Sequence, residues 1–223
     1  MDPVISTSRL KLTLMTKAEK GSQEFQWLHA LRSDEQATKW SIFGRSKSTE
    51  DTEEVMKNAF ATAKGEEGQY RVVYAVHELL QPLETKEQSE QPTQLIGLIT
   101  LKEVDANNVA LPEHLTLPNA HLSTTLMLEL GYMFLPMGWG KGYATESLRA
   151  VFEACKRAKS FWAPYEKLYF RAIVNEGNPA SLRVMQKVDV QKKGIYEWTG
   201  KIWLAGGWRY EDNLHIFGKY LLE

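Results

Sequence analysis

The sequence predicts a sheet domain of the α+β or α/β class, and three observations carry that expectation. Segments with the two-residue alternation of strands are interleaved with segments of helical period, in the order βααβββαβαββ. A long amphipathic helix follows directly on a glycine-rich turn at the end of a strand. The chain of 223 residues, 43% hydrophobic and 25% charged, is long enough to bury one sizeable core.

The elements follow in order. Residues 9–15 (RLKLTLM) alternate, with Leu10, Leu12 and Leu14 on one face, as in a half-buried strand. Apolar residues then recur at helical spacing over 23–40 and 49–64, the second stretch opening on the capping sequence Ser48-Thr49-Glu50-Asp51. Residues 71–77 (RVVYAVH) and 95–101 (LIGLITL) are rich in β-branched side chains and predict two strands. Between them lies a polar, proline-bounded loop near 80–93, and a second polar insertion near 105–123 precedes a strand at 125–135. After the glycines, Ala144, Leu148, Val151, Phe152 and Cys155 form one apolar helix face opposite Glu146, Arg149, Glu153 and Lys156. A strand at 168–174, a helix capped by Asn178-Pro179, and closing strands near 194–198 and 214–221 complete the order. No internal repeat is visible, so residues 1–223 are expected to form one domain with two loop insertions.

Composition narrows the function. Lys plus Arg is 27 and Asp plus Glu is 28, a net charge of -1, so no global field favours nucleic acid or an anionic membrane as partner. A lone cysteine, Cys155, and a start without the charged-then-apolar pattern of a signal peptide point to a cytoplasmic protein. The most apolar stretch, 126–137, is broken by Glu129 and Pro136 and is far shorter than the roughly 20 residues of a membrane span. The five histidines are scattered, with no metal-ligand spacing, and no metal is expected. No Gly-x-Ser-x-Gly elbow is present, and Cys155 on an apolar helix face is a core residue rather than a nucleophile.

The most informative segment is Gly138-Trp139-Gly140-Lys141-Gly142-Tyr143-Ala144, between a strand end and a helix start. Glycines there let the backbone turn sharply, while free N–H groups and the positive end of the helix dipole attract a phosphate. The spacing is that of neither a dinucleotide fingerprint nor a nucleotide P-loop, so a pyrophosphate site and a plain tight turn both remain open.

The stretch LELGYMFLPMGWGKGYATESL resembles the acetyl-CoA motif of the GNAT acetyltransferases, particularly the branch that acetylates ribosomal-protein N-termini. TSRLKL is similar to that branch's first strand, and NPASLRVMQKVDV resembles its Asn-x-x-Ser helix. The resemblance implies an α+β fold layered α/β/α, with a mixed, mostly antiparallel sheet splayed between its fourth and fifth strands. Acetyl-CoA would be the co-substrate and a primary amine, on a peptide or a small molecule, the acceptor; the enzyme would be a monomer or homodimer. Carried over by position, backbone groups of Phe134 and Leu135 would meet pantetheine. Those of Trp139, Gly140, Lys141, Gly142, Tyr143 and Ala144 would hold the pyrophosphate. Two positions depart from the family pattern: Met137 stands where Gln or Arg is usual, and Asp189-Val190 replaces Gly-Phe after the Asn-x-x-Ser helix.

Amine acetylation needs a neutral amine, an oxyanion donor and a proton for the departing thiolate. Glu129, on the strand leading to the turn, is a candidate base, with an ion-paired strand carboxylate as the alternative. Glu146 is a weaker one, since the helix dipole already explains it. Ser181 shares an apolar helix face with Val184, Met185 and Val188, and in the resembled branch it lies beside the coenzyme sulfur as the proton donor. Met185 excludes the tyrosine that other members place there. Asn178 would meet pantetheine, cap its helix, or both. A backbone N–H near Phe134 is the simplest oxyanion donor. The basic runs Lys156-Arg157-Lys159 and Lys192-Lys193 are solvated patches or contacts for the 3'-phosphate. Trp208, in an aromatic loop between the last two strands, and Trp40 with Phe43 after the first helix would form opposite walls of an acceptor groove, with core packing as the alternative. A non-catalytic acyl-CoA-binding or scaffold protein is the competing function.

Overall fold

The computed structural model describes residues 1–56, 69–81, 92–105, 108–118, 121 and 123–222. Its eight strands are β1 (Val4–Ser6), β2 (Leu10–Leu14), β3 (Arg71–Leu79), β4 (Thr93–Glu103), β5 (Thr125–Phe134), β6 (Lys167–Asn175), β7 (Gln191–Leu204) and β8 (Gly207–Leu222). They form one open sheet in the order β1-β2-β3-β4-β5-β6-β8-β7. Every pair is antiparallel except β5 with β6. The fold is mixed α+β, as expected, with helices α1 (Gln23–Ser33), α2 (Thr49–Met56), α3 (Tyr143–Arg157) and α4 (Pro179–Lys187) against the sheet. None of the described helices is long and apolar enough to cross a membrane.

Strand alternation divides the core in two. Leu128, Leu130, Phe170, Ala172, Val174 and Phe217 point to the face covered by α3, where Leu148, Val151 and Cys155 are fully buried and Phe152 stacks on Phe170 at 4.6 Å. Cys155 is thus a core thiol, pushed up to about 12 by burial. The opposite face receives α1, whose Leu28 and Leu31 pack on Val73, Ala75 and Leu98.

Four expectations need correcting. The first helix ends at Ser33 instead of reaching residue 40, because Asp34 starts a turn in which its carboxylate accepts from Ala37 N–H at 2.7 Å and its carbonyl from Thr38 Oγ1 at 2.6 Å. Strand β1 was not expected, since three residues show too little alternation to be seen. The closing strands are much longer than 194–198 and 214–221, meeting in a tight turn at Ala205-Gly206, so Trp198, Trp203, Trp208 and Tyr210 lie on a β-hairpin instead of in a loop. The second insertion is partly packed: Leu115 and Leu117 are buried, and Leu115 lies against Gly194 of β7. Residues 57–64 of the second helical stretch and most of the loop near 80–93 lie outside the described residues.

Candidate active site

The β5–β6 ladder runs only from Thr125↔Lys167 to Glu129↔Arg171. Beyond it β5 stays paired with β4 as far as Phe134, and β6 with β8 as far as Asn175, so the sheet opens between residues 130–134 and 172–175. This is the splay expected between the fourth and fifth strands; the additional β1 advances the numbering by one. Leu135 N–H donates to Ile96 on β4 at 2.8 Å. By alternation, the N–H and carbonyl of Phe134 then face the opening, and that carbonyl accepts from Trp139 Nε1 at 2.7 Å.

From this edge the chain passes through a short 3-10 turn into the glycine loop. Gly140 (φ 73°) and Gly142 (φ 81°) are left-handed, a conformation that β-carbon-bearing residues avoid. Gly142 is the N-cap of α3 and offers no side chain to the helix. Among the described residues, none of the N–H groups at 140–145 donates to a backbone acceptor, so six donors converge at a helix N-terminus. Arg9, from the turn before β2, braces this loop. Its Nη1 donates to Lys141 O at 3.1 Å while Nε and Nη2 hold Glu146, and its guanidinium lies over the Tyr143 ring at 4.7 Å. The Tyr143 hydroxyl is held by Glu78, which raises its pKa. A cavity of about 490 Å³ beside the loop is lined by Arg9, Thr145, Arg149 and Lys187 among others. The two basic runs singled out in the sequence are absent from its lining. Lys156 instead pairs with Glu153 and Arg157 with Asp2.

Side chains meet at the opening from both faces. On the α3 and α4 side, Tyr132 of β5 reaches across to Ser181 of α4, hydroxyl to hydroxyl. Burial pushes the Tyr132 phenol up to about 12 and keeps it protonated. Asn178 Oδ1 caps α4 by accepting from Ser181 N at 3.1 Å, which fixes where Ser181 stands. On the other face, where the ladder ends, Glu129 is paired with Arg171 at 2.8 Å; Arg171 is buried and also donates to Val109 O at 3.2 Å. Asp189 sits at φ 57°, with Val190 N–H bonded back to Met185 O and Lys219 Nζ on its carbonyl at 2.8 Å, so the departure from Gly-Phe leaves a closed helix end.

Of the expected acceptor walls, Trp40 is half-buried against Gly177 in the β6–α4 turn and lies 5.8 Å beneath the Arg209 guanidinium. Ala205 N–H donates to Lys39 O at 2.9 Å, so the segment after α1 does meet the β7–β8 hairpin. Phe43, on the same segment, is 70% exposed. Trp208 packs edge-on against Trp203 at 5.6 Å near the hairpin tip and is also largely exposed.

The acetyltransferase (GNAT) domain family matches residues 9–191. The chain belongs to this family. Its members use acetyl-CoA. The sequence is 34% identical over 77 residues to YkkB of Bacillus subtilis, an uncharacterized protein; the match covers 34% of this chain and 41% of that one. A GNAT acetyltransferase from Bacillus anthracis has the same fold, with TM-score 0.59 and 17% identity over 98% of each chain. So does the spermidine N-acetyltransferase of Vibrio cholerae in complex with CoA and spermine, with TM-score 0.58 and 16% identity over 96% of this chain and 97% of that one. A third is the Salmonella typhimurium acetyltransferase that modifies the N-terminal serine of ribosomal protein L7/L12. It shares TM-score 0.58 and 14% identity over 97% of this chain and 98% of that one.

Tyr132, Arg171 and Arg9 were not singled out in the sequence. Each acts through a partner more than 40 residues away, and nothing in its own neighbourhood marks it.

Proposed function

We propose that this GNAT protein transfers the acetyl group of acetyl-CoA to an amine by direct attack in a ternary complex. The observation that carries this reading is the set of six unpartnered N–H groups at 140–145, opening onto a gap in the sheet, in a chain of this family. Those donors fit a pyrophosphate, the Arg149 and Lys187 side chains of the adjoining cavity fit the remaining nucleotide phosphate, and the gap-facing groups of Phe134 fit pantetheine and the oxyanion.

Acetyl-CoA supplies the activated acyl group and a thiolate leaving group. Ser181 then donates the thiolate's proton, with Tyr132 fixing the serine hydroxyl. Glu129 is the proposed base, standing where the ladder ends; its pair with Arg171 also suits a purely structural carboxylate. A Glu129→Gln variant separates the two. A moved pH–rate profile assigns the base, and an unmoved profile with lowered stability assigns a brace for Arg171.

The reading is tested by thermal unfolding with acetyl-CoA, ATP or NADPH. A ligand at 100 times its Kd adds roughly 2.7 kcal/mol, a rise of about 5–10 °C for a chain of this size. A rise specific to acetyl-CoA, followed by thiol release in the presence of an amine, supports the enzyme. Specific binding without turnover across a broad amine panel leaves an acyl-CoA-binding scaffold.

A further inference from the structure

Three buried polar atoms near the end of β6 have no hydrogen-bond partner: Asn175 Nδ2, Asp212 Oδ2 and, on the α3 face, His215 Nε2, which lies 3.8 Å from Glu176 Oε1. Val174 and Phe217 point into the α3 core, so by alternation Asn175 on β6 and Asp212 on β8 both leave the opposite face, the face that also carries Glu129. Asn175 pairs with Leu214, which puts Asp212 one pleat further along β8. Diagonal neighbours of this kind stand about 7–8 Å apart. The other atom of each side chain is taken, Asn175 Oδ1 by Gly177 N–H at 2.8 Å and Asp212 Oδ1 by Arg209 Nη1 at 2.9 Å. The amide is thereby turned so that its NH₂ is free, and the carboxylate keeps one free oxygen. Asn175 is 8% exposed, and the Asp212 side chain 10%. A buried donor and a buried acceptor left unmatched each carry the desolvation cost of the group, so the pair of Asn175 and Asp212 is a strong recognition element for a ligand that matches both.

We propose that Asp212 and Asn175 dock the amino terminus of a peptide, Asp212 Oδ2 accepting from the α-ammonium and Asn175 Nδ2 donating to the first carbonyl. The inference rests on the acetyltransferase reading and names its acceptor class. A peptide terminus carries a donor cation and an acceptor carbonyl on adjacent carbons, which is the complement of the orphaned pair. A polyamine has ammonium groups alone and leaves the Asn175 amide unmatched. Arg209 already offsets the Asp212 charge, so the site suits one ammonium rather than several. Trp40 lies against Gly177, which binds Asn175 Oδ1, on one side and beneath Arg209, which binds Asp212 Oδ1, on the other, so its indole stands beside the partners of both residues.

The test uses the full chain saturated with CoA, titrated by calorimetry with the amide of trialanine, its N-acetylated form and spermidine, alongside thiol release from acetyl-CoA with each free amine. The free peptide amide is expected to bind, the N-acetylated form not to bind, and spermidine to bind more weakly. Asp212→Asn weakens the free peptide about 10- to 100-fold with the acetyl-CoA KM unchanged, the loss of one charge-assisted hydrogen bond. Asn175→Ala weakens the peptide but leaves isopropylamine, which has no carbonyl, unaffected, and this variant keeps the test open if Asp212→Asn folds poorly. Absence of peptide binding, preference for spermidine, or Asp212→Asn and Asn175→Ala variants indistinguishable from wild type overturns the proposal. Peptide binding without thiol release overturns the acetyltransferase reading and leaves the docking site standing. Thiol release with small amines but no peptide effect does the reverse.

Discussion

Arg9 joins the turn before β2 to a loop 132 residues further on, and its three contacts there hold the glycine loop in place. The pair with Glu146 is partly exposed, so Arg9→Ala should raise the acetyl-CoA KM only about two- to fivefold with kcat unchanged, measured by initial rates. Ser181 should behave in the opposite sense. Ser181→Ala removes the proposed proton donor and is expected to lower kcat about 100-fold or more while coenzyme affinity stays constant. Tyr132→Phe keeps the serine hydroxyl and should cost far less, and equal losses in the two variants would make the phenol the donor. Asp189 adopts a left-handed backbone that costs a side-chain-bearing residue up to about 1–2 kcal/mol. Asp189→Gly should therefore stabilise the fold by about 0.5–1 kcal/mol in urea unfolding, partly offset by glycine's greater chain entropy.

Between elements, the packing of α1 on β3 makes stability sensitive to acid. His77 of β3 is buried, with Trp27 of α1 edge-on at 4.4 Å and Lys11 opposite it on β2. Burial, and then the Lys11 charge, lower its pKa to about 4 from an ordinary 6.5. The unfolded chain therefore binds a proton that the folded one refuses. This contribution to stability is complete above pH 6.5 and is lost progressively as pH falls toward 4, by an amount on the order of 3 kcal/mol. His77→Leu should flatten the decline of unfolding free energy over that window, whatever it does to stability at pH 7. A variant with an unchanged acid slope would assign the decline to other groups.

At the scale of the whole molecule, the sheet is two ladders joined by five residue pairs, and the proposed coenzyme site is the gap beyond them. Acetyl-CoA in that gap should slow amide exchange at Tyr132 and Phe134, whose N–H groups face it beyond the last β5–β6 pair, and leave Gly131 and Met133, which face β4, nearly unchanged. NMR exchange rates with and without coenzyme would show that parity or refute the placement. Much of this architecture was legible in the sequence, because strand alternation, helical period and the glycine turn are short-range patterns imposed by backbone sterics on neighbouring residues. The α3 face, the Asn178 cap and the left-handed Gly140 and Gly142 belong to that class. The end of α1 was missed because Asp34 and Thr38 divert the backbone inside an unbroken apolar period. The sequence by itself determined most of the elements, their faces and the glycine turn ahead of α3. Only the tertiary structure decided that the β5–β6 ladder stops at Glu129 and Arg171, that Tyr132 meets Ser181, and that Asn175 and Asp212 share one face. The physical reason is that strand order and register join residues tens of positions apart, whereas a local pattern specifies which way a side chain points and leaves its neighbour open.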